Sequence, residues 1–503
     1  MRITVVGAGS AGAMAAVYLK TRFPEYTITV IHSNDIPTLG VGESVTPYIT
    51  RFFDDIGIDE KLWMPATNSI YKYANCFSNW TTDNNDHYFA FTYNQPVDKV
   101  IDQQPITWDD LKNIKSTDTR LTDLWIQCYK NKTAKYYSED FNHLHPFMKD
   151  LKAPFVDGRY IGHKYSYAYH IDANKLGSYL LDIAKQRGVI EITGTINKIN
   201  HTDKINSVEV DGVEHTSDLW IDATGFANLL IGTLSTDYHY YDNTANSAWV
   251  APLEYTDSKQ MKNYTESIWH DLGWIFKIGL SNRQGCGLVY SDQYFDDEAA
   301  KDAFETYTHN RRLKEPRLIK WQPKRLKQPA VGNVFSIGIG SGFVEPMEAN
   351  ALYLSVAGIK GVERYLHNNS IDDYNTRINY TLDDIADFID VHYTLCKKGN
   401  NAFWNDCRQR GIEKNHAQLV KNKYFDSKST LEYAVEYWTM FPDYMWVELA
   451  GAWLEDFNNW NINVDASTVE KYVSILDKQK QRTNNISAQA TDYYDFIREF
   501  HNV

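Results

Sequence analysis

Three glycines near the start of the chain have the spacing of a dinucleotide-binding turn. Gly7, Gly9 and Gly12 form the pattern Gly-x-Gly-x-x-Gly directly after the mostly apolar run Ile3 to Val6. In such a turn the first glycine permits a tight bend, the second lets the backbone approach a pyrophosphate, and the third lets a helix pack on the strand. The residues predicted to contact the phosphates are Gly7, Gly9, Ser10, Ala11 and Gly12.

The elements around these glycines have the order that the turn requires. A helical run follows at Ala13 to Lys20, and a β-branched strand follows at Thr27 to Ile31. An ordinary glycine turn is the alternative, which the strand–turn–helix–strand context disfavours. The second strand should end in Asp or Glu for a ribose, yet His32 comes next. His32 either donates to the ribose instead or is simply exposed.

Two later strand ends suggest that the dinucleotide is FAD. Asp222 to Gly225, and Gly332 to Gly338, resemble the segments that complete an FAD site in flavoproteins of the glutathione-reductase type. We therefore include Gly225 and Gly338 among the FAD contacts. No second Gly-x-Gly-x-x-Gly pattern occurs, which indicates one FAD and no nicotinamide site. The flavin must then receive its electrons from elsewhere.

Several further motifs, in order along the chain, resemble flavin-dependent halogenases of the tryptophan halogenase family. The resemblance spans residue 1 to about residue 450, and the departures from it suggest an outlying member, with a viral origin as one option. The motifs that carry it are Asp35 to Ser44, Tyr71-Lys72 with Phe77 to Trp80, Tyr167 to Ala173, Asp222 to Phe226, Gly273 to Ile278, Phe343 to Glu348, His392-Tyr393 and Phe403-Trp404.

This resemblance implies a specific chemistry and specific residues. In the family, FAD reduced by a separate flavin reductase reacts with oxygen, a halide ion is oxidised to hypohalous acid, and the acid passes inside the protein to an organic substrate. A lysine there holds or captures the oxidant, and a glutamate assists. By resemblance the lysine is Lys72, the glutamate is Glu348, and Gly42 and Glu43 lie in the FAD-binding segment.

Lys72 has mostly apolar neighbours along its predicted strand. In an extended segment it shares a face with Ile70, Ala74 and Cys76. An ammonium among such residues is partly desolvated, which favours the neutral amine. Without the resemblance, Lys72 would be interpreted as a solvated strand lysine.

Glu348 follows Pro346, which suits the first turn of a helix. Unpaired N–H groups at a helix start can bind a halide, with Glu348 as acid or base beside it. The alternative is that Glu345 and Glu348 only offset the helix dipole, and Glu345 is interpreted as structural.

Three departures from the family pattern bear on specificity. Ala349-Asn350-Ala351 replaces the usual Ser-Thr-Gly, so the backbone N–H groups of Asn350 and Ala351 would bind the halide, and we hypothesise a preference shifted toward bromide or iodide. Ala90 stands where the family has a substrate-stacking histidine, so other aromatic or phenolic compounds are as good candidates as free tryptophan. Trp274 matches a flavin-shielding tryptophan, or is a core residue, whereas Phe276 replaces the second one.

Composition restricts the partners. The formal net charge of −14 disfavours nucleic acid and anionic membranes. No run of about 18 apolar residues predicts a membrane span. Five scattered cysteines without a Cys-x-x-Cys pair indicate reduced thiols, a cytoplasmic protein and no metal site. The partners expected are a small aromatic substrate and a flavin reductase, and a homo-oligomer is possible because the chain is rich in aromatic residues.

The expected fold is α/β: an FAD-binding Rossmann-like domain of the glutathione-reductase type, with mixed-sheet insertions and a helical C-terminal part. We assign residues 1–370 to FAD binding and halogenation, with the insertion around 65–330, and 371–503 to a helical substrate-side subdomain. A flavin-dependent aromatic monooxygenase and a catalytically silent flavin-binding protein stay open as alternatives. The C-terminal helices are predicted at Met347 to Tyr365, Asp372 to Tyr393, Thr430 to Glu436 and Val464 to Lys478.

Overall fold

The computed structural model describes residues 1–34, 42–91, 120–162, 165–242, 245–429, 439–454 and 456–502. The chain divides into two compact units that interleave along the sequence. The first unit comprises Met1–Ser69, His170–Asn243 and Trp321–Ala386, and the second comprises Ile70–Tyr169, Thr244–Lys320 and Asp387–Val503. The division at residue 370 stays a prediction.

The strands are numbered in chain order. They are β1 Arg2–Val6, β2 Thr27–His32, β3 Glu43–Ser44, β4 Ile70–Lys72, β5 Ala74–Ser78, β6 Asp86–Ala90, β7 Phe155–Val156, β8 Arg159–Tyr160, β9 Ala168–Ile171, β10 Ile190–Thr193, β11 Ile196–His201, β12 Ile205–Val210, β13 Val213–His215, β14 Leu219–Asp222, β15 Tyr238–Tyr240, β16 Ser247–Leu253, β17 Thr265–His270, β18 Gly273–Gly279, β19 Gln284–Tyr290, β20 Arg317–Lys320, β21 Lys324–Leu326, β22 Ala330–Val331, β23 Val334–Ser336 and β24 Gly342–Phe343.

The α-helices are numbered in the same way. They are α1 Ser10–Arg22, α2 Tyr48–Ile56, α3 Glu60–Ala66, α4 Leu121–Lys130, α5 Tyr137–Phe141, α6 His145–Lys149, α7 Ala173–Gln186, α8 Ile231–Leu234, α9 Asp297–Thr308, α10 Asn350–Asn368, α11 Ile371–Thr394, α12 Ala402–Glu413, α13 His416–Ser429, α14 Asp443–Leu449, α15 Ala466–Gln489 and α16 Tyr493–Phe500.

The first unit is built on a six-stranded sheet in the order β10-β2-β1-β14-β23-β22. Its strands pair in parallel from β10 to β23, and β22 is antiparallel to β23. Parallel strands are usually covered on both faces, and the apolar residues of β1 are accordingly buried. Helix α1 packs against α7 and α10. This arrangement confirms the predicted α/β fold class.

The register of this sheet brings three strand ends together. Val6 at the end of β1 is level with Asp222 at the end of β14, and Asp222 is level with Ser336 at the end of β23. The three strands are parallel, so the loops that follow them leave from the same edge of the sheet. In open α/β sheets this carboxyl edge is where ligands bind.

The second unit contains a seven-stranded sheet in the order β20-β16-β19-β18-β17-β5-β6. All neighbours pair antiparallel except β17 and β5, which are parallel. One of its cores contains Leu253, Ile275, Leu288 and Phe304, which are all buried. The sheet carries the predicted flavin-shielding residues on β18.

Two predicted elements differ from the structure. The single extended segment expected around Lys72 is two strands, since β4 ends at Lys72 and β5 begins at Ala74. All residues from Ile70 to Phe77 are buried, so no alternating apolar face is present. The helix expected from Met347 begins at Asn350, because Met347–Ala349 forms a short 3-10 turn with left-handed residues.

The other C-terminal helices can be compared where they are described. The helix predicted at Asp372 to Tyr393 is α11, and the helix predicted at Val464 to Lys478 is α15, which continues to Gln489. The predicted helix at Thr430 to Glu436 lies outside the described residues. No helix in the described part of the chain is long and apolar enough to cross a membrane.

Candidate active site

The glycine turn after β1 has a backbone that only glycine accommodates. Gly7 has a φ of 102°, and a Cβ there would lie 2.6 Å from the carbonyl oxygen of Ala223. A Cβ on Gly12 would lie 1.9 Å from the carbonyl oxygen of Gly7. The Gly7 N–H donates to the carbonyl of Ile31 at 2.8 Å, which attaches the turn to the end of β2. The turn is therefore packed against both neighbouring strands.

Helix α1 presents its N-terminus at this turn. Gly9 precedes the helix, and within the described residues no side chain caps it and no acidic residue occupies the first turn. The Ser10 hydroxyl donates to the carbonyl of Ala173 at 2.9 Å, which fixes the turn against the start of α7. Uncapped N–H groups and the helix dipole give this end the features that suit a phosphate.

The other two strand ends complete the edge. Gly225 and Gly338 have φ values of 61° and 62°, and a Cβ on Gly338 would lie 3.4 Å from the Cβ of Ala11. Asp222 orders the loop after β14, because its carboxylate accepts from the N–H groups of Thr224, Leu230 and Ile231 at 3.0, 2.8 and 2.9 Å. The loops thus bring the predicted FAD glycines to one place.

His32 is held by an acidic residue from the neighbouring strand. Its Nε2 lies 3.0 Å from Oε1 of Glu191 on β10, and its side chain is only 13% exposed, so the exposed alternative is wrong. Lys185 binds the other carboxylate oxygen of Glu191 at 3.1 Å. The hydrogen bond from His32 lowers the pKa of Glu191 below its usual range. A carboxylate is therefore present at this edge, although β2 lacks one.

The family-like segment after β2 is described only in part. Asp35 to Val41 lie outside the described residues, whereas Glu43 pairs with Ile171 in β3 and is half-buried. Burial raises the pKa of Glu43 to about 7. This carboxyl group therefore titrates near neutral pH.

These features fit an FAD. The glycine turn and the start of α1 suit a pyrophosphate, His32 directly follows Ile31, whose carbonyl binds the turn, and Gly225 and Gly338 allow close backbone approach at the sheet edge. The tight strand–helix turn explains why Gly7 and Gly12 are glycines.

Glu348 lies in a turn just before α10. It is 4% exposed, has a φ of 66°, and is followed by Ala349 with a φ of 60°. The prediction that Glu348 lies in the first turn of the α-helix is therefore wrong, because Glu348 lies in the short 3-10 turn that precedes the helix. Asn350 and Ala351 are the first two residues of α10, and no side chain caps the helix within the described residues. Their N–H groups have no intrahelical partner, as the halide prediction requires.

Lys72 is completely buried in the second unit. Its side chain is 0% exposed, and Nζ lies 5.0 Å from the ring centroid of Phe91. The π face of the Phe91 ring attracts a lysine ammonium placed over it. The prediction of a desolvated ammonium is consistent with this position, although its apolar strand face is absent.

An aromatic cluster includes Phe89, which lies on the strand that leads to Phe91. This strand is β6, and Phe91 directly follows its end. Phe89 lies 5.8 Å from Trp453, and His392 lies 4.6 Å from Phe77 and 5.3 Å from Trp453. Burial lowers the pKa of His392 to about 3, so this ring is neutral. We call Phe77, Phe89, His392 and Trp453 the aromatic cluster.

Sequence reasoning missed Trp453. It lies in a π-helical turn, Ala450–Leu454, that follows α14. Single π-helical turns occur often at functional sites, but their i to i+5 bonding has no reliable sequence pattern. The one sequence feature that could have indicated this site is Gly451-Ala452 before Trp453, because two small residues allow close packing. A Cβ on Gly451 would lie 2.7 Å from the ring of Trp125.

Trp274 and Phe276 lie on β18, the central strand of the second unit's seven-stranded sheet. Both are buried, and their ring centroids are 6.0 Å apart. A Cβ on Gly287 would lie 2.5 Å from the Phe276 ring, so this residue packs directly on the neighbouring strand. Their shielding role stays a prediction.

Metal ligands and thiols add no further chemistry in the part of the chain that is described. No group of three or more His, Cys, Asp or Glu side chains there could hold a metal ion. All five cysteines are buried free thiols, and burial raises the pKa of Cys286 and of Cys396 to about 12. Both thiols are therefore protonated and weakly nucleophilic at neutral pH.

Comparison with known proteins gives one consistent result. A family model described as tryptophan halogenase matches residues 2–454. A tryptophan 6-halogenase of Streptomyces toxytricini is 27% identical over 443 residues, covering 84% of this chain and 83% of that protein. A tryptophan 7-halogenase of Lentzea aerocolonigenes is 29% identical over 439 residues, covering 80% and 78%. A flavin-dependent halogenase from Xanthomonas campestris shares the fold, with a TM-score of 0.81, 23% identity and coverage of 99% and 98%.

Proposed function

The chain belongs to the tryptophan halogenase family, and from this we propose that Lys72 and Glu348 are the catalytic residues with which it halogenates an electron-rich aromatic compound. It is a flavin-dependent halogenase that uses FAD reduced by a separate flavin reductase, with a halide ion as co-substrate. Family members act on small aromatic substrates. Aromatic hydroxylation without halide and catalytically silent flavin binding are not favoured by this membership.

The burial of Lys72 is the observation that carries the proposal. When bound, reduced FAD supplies the electrons for oxygen activation, from which the halide is oxidised to hypohalous acid. The neutral amine of Lys72 exchanges one N–H hydrogen for the halogen of that acid, with release of water. The N–halogen bond then breaks as the halogen is transferred to an aromatic carbon, and the proton lost from that carbon restores the second N–H of the Lys72 amine. A completely buried amine is protected from water, which would compete for the halogen.

We assign Glu348 to the acid–base step beside the halide. Its carboxyl group is in a buried turn that continues directly into the uncapped start of α10. The N–H groups of Asn350 and Ala351 provide positive potential for the halide, and the carboxyl group is near enough in sequence to exchange a proton there. Glu345 is also buried, and we keep it as a structural residue.

We propose that the substrate ring packs beside the aromatic cluster. Phe89 of this cluster is two residues before Phe91, which lies against Lys72. Aromatic side chains bind planar rings by stacking and edge contacts. Since Ala90 stands where the family has histidine, phenols, indoles and anilines other than free tryptophan are included as substrates.

Two broader properties are also proposals. The five free, buried cysteines support a reducing, cytoplasmic location. A homo-oligomer is proposed only on the aromatic-rich composition, and light scattering of the purified chain tests it.

The function is tested by reconstitution. The purified chain is incubated with FAD, a flavin reductase, NADH, oxygen, one halide at a time and a panel of phenols, indoles and anilines, and products are read by mass spectrometry. We expect halogenated products that disappear when halide is omitted. With equal chloride and bromide, we expect the brominated product to dominate, because bromide is less hydrated and easier to oxidise. Hydroxylated products formed at a rate independent of halide would contradict the proposed halogenase function. A strong preference for chloride would contradict the predicted preference for bromide.

A further inference from the structure

The turn that carries Glu348 has an unusual backbone. Glu348 and Ala349 are consecutive left-handed residues, with φ values of 66° and 60°, and neither is glycine. A Cβ makes this conformation unfavourable at each position, so other contacts must hold it. Such residues cluster at functional sites when their surroundings fix them.

Asn350 supplies contacts that fix this turn. Its Nδ2 donates to the carbonyl oxygens of Glu345 and Met347, both at 2.8 Å, and the residue is 1% exposed. A carboxamide nitrogen has two hydrogens, and both are used. The side-chain orientation is therefore determined, because a flipped amide would place its oxygen against two carbonyl oxygens.

Few other side chains can make these two bonds. Aspartate would place an acceptor against the carbonyls, and the hydroxyl of serine or threonine has one hydrogen for two acceptors. Threonine is the residue that the family resemblance led us to expect here. At the start of α10 this chain therefore has a carboxamide that donates two hydrogen bonds in place of a hydroxyl that can donate one.

The backbone that Asn350 holds has the geometry of an anion-binding concavity. Ala349 is left-handed, and Asn350 is right-handed with φ −81° and ψ −20°. Successive N–H groups in such a pair turn toward one side and form a nest for an anion. The nest consists of the N–H groups of Ala349, Asn350 and Ala351, which include the two halide donors already assigned.

We propose that the Asn350 side chain is a positioning residue that clamps the Glu345–Ala349 turn and thereby shapes the halide nest. This inference rests on the proposed halogenase function, and it gives Asn350 a side-chain role in addition to its N–H group. Without the clamp the turn relaxes toward ordinary backbone conformations, and the three N–H groups no longer converge.

The test compares the halide KM and kcat of the wild type, Asn350→Ala and Asn375→Ala. Asn375 is the matched control, because it is a buried asparagine of the same unit whose amide makes two bonds with the backbone of Ala330, at 2.7 and 3.0 Å. We expect Asn350→Ala to raise the halide KM about ten- to thirtyfold, the effect of two ordinary hydrogen bonds, with kcat at saturating halide changed by less than about threefold. Asn375→Ala should lower the melting temperature without changing the halide KM.

A rescue variant separates clamping from general stability. Glycine adopts a left-handed backbone without strain, so Ala349→Gly in the Asn350→Ala background should recover part of the halide affinity. Chloride binding is measured independently of activity by chloride NMR line broadening, with folding checked by circular dichroism. If Asn350→Ala does not fold, Asn350→Thr is measured, and its single donor should give an intermediate rise in KM.

Several outcomes overturn the inference. An unchanged halide KM in folded Asn350→Ala or Asn350→Thr excludes the clamp, as does an equal rise in Asn375→Ala. Failure of both Asn350 variants to fold, with no recovery by Ala349→Gly, would show that Asn350 supports the whole unit rather than this turn. A wild-type chain that binds chloride but halogenates nothing would instead contradict the proposed function.

Discussion

At the scale of single residues, burial decides which groups can do chemistry. Lys72 and Glu348 are both charged residue types that are almost never buried without a reason. Removing them from water protects a reactive halogen from hydrolysis. Burial has a different consequence for His392: it keeps the ring neutral, so that the ring packs as another flat side chain in the aromatic cluster.

Glu43 gives a prediction about pH. Its folded pKa of about 7 is above the usual value for glutamate, so the folded protein binds this proton more tightly than the unfolded chain does. The fold is then destabilised by ionisation as the pH rises from about 5 to about 8. We expect Glu43→Gln to melt higher than the FAD-free wild type at pH 8, with the difference shrinking toward pH 5.

Thermal melts across this pH range check the prediction. Glu25→Gln is the control, because Glu25 is an exposed residue of the same unit. Its melting temperature should differ from the wild type by a constant small amount. A constant difference for Glu43→Gln as well would show that burial does not control this carboxyl group.

At the scale of elements, a neighbouring strand supplies the acidic residue that is absent from the end of β2. The end of β2 lacks the acidic residue that usually binds a ribose, but β10 pairs with β2 and places Glu191 against His32. The strand pairing therefore supplies a carboxylate that no local motif could reveal. We propose that Glu191 orients His32 toward the ribose of FAD.

This proposal predicts a change in FAD affinity. Glu191→Ala should weaken FAD binding about tenfold, because a hydrogen bond to a charged group contributes about 1.5 kcal/mol. His32→Ala should have a similar effect, measured as the Kd from flavin fluorescence. Lys185→Ala is the control, since it removes only the exposed partner of Glu191 and should change the Kd by less than about twofold. Unchanged affinity in both Glu191→Ala and His32→Ala would exclude this role.

At the scale of the whole molecule, the sequence predicted the fold more completely than it predicted the local backbone geometry. The glycine turn and the strands ending at Asp222 and Ser336 were identified correctly, because β-strands followed by glycine have strong local signals. The ordered family motifs identified the chemistry. The interleaving of two units was not readable, because each unit is assembled from three segments that are separated in the sequence by segments of the other unit.

The parts of the site that were missed depend on specific hydrogen bonds. The left-handed pair at Glu348 and Ala349 contradicts the ordinary preference of those residues, and the local bonds from the Asn350 side chain to the carbonyls of Glu345 and Met347 hold it. The break of the lysine strand at Tyr73 follows from its backbone bonds, since its N–H donates to Asn263 and its carbonyl accepts from Phe91 at 2.8 and 2.9 Å. Long-range hydrogen bonds of this kind leave no pattern in a single sequence.

The central claim is that Lys72 delivers the halogen, and one variant pair tests it most directly. Lys72→Met keeps an unbranched apolar chain against Phe91 but removes the amine. Lys398→Met is the matched control, because Lys398 of the same unit lies 4.7 Å from the ring centroid of Trp269 in a comparable cation–π contact. Product yield is divided by the amount of reduced FAD oxidised, in the reconstituted reaction with bromide.

We predict that Lys72→Met oxidises reduced FAD at close to the wild-type rate while the yield of halogenated product falls at least about a hundredfold, and that Lys398→Met keeps a wild-type yield. A folded Lys72→Met protein with a wild-type yield of halogenated product per reduced FAD would contradict the account.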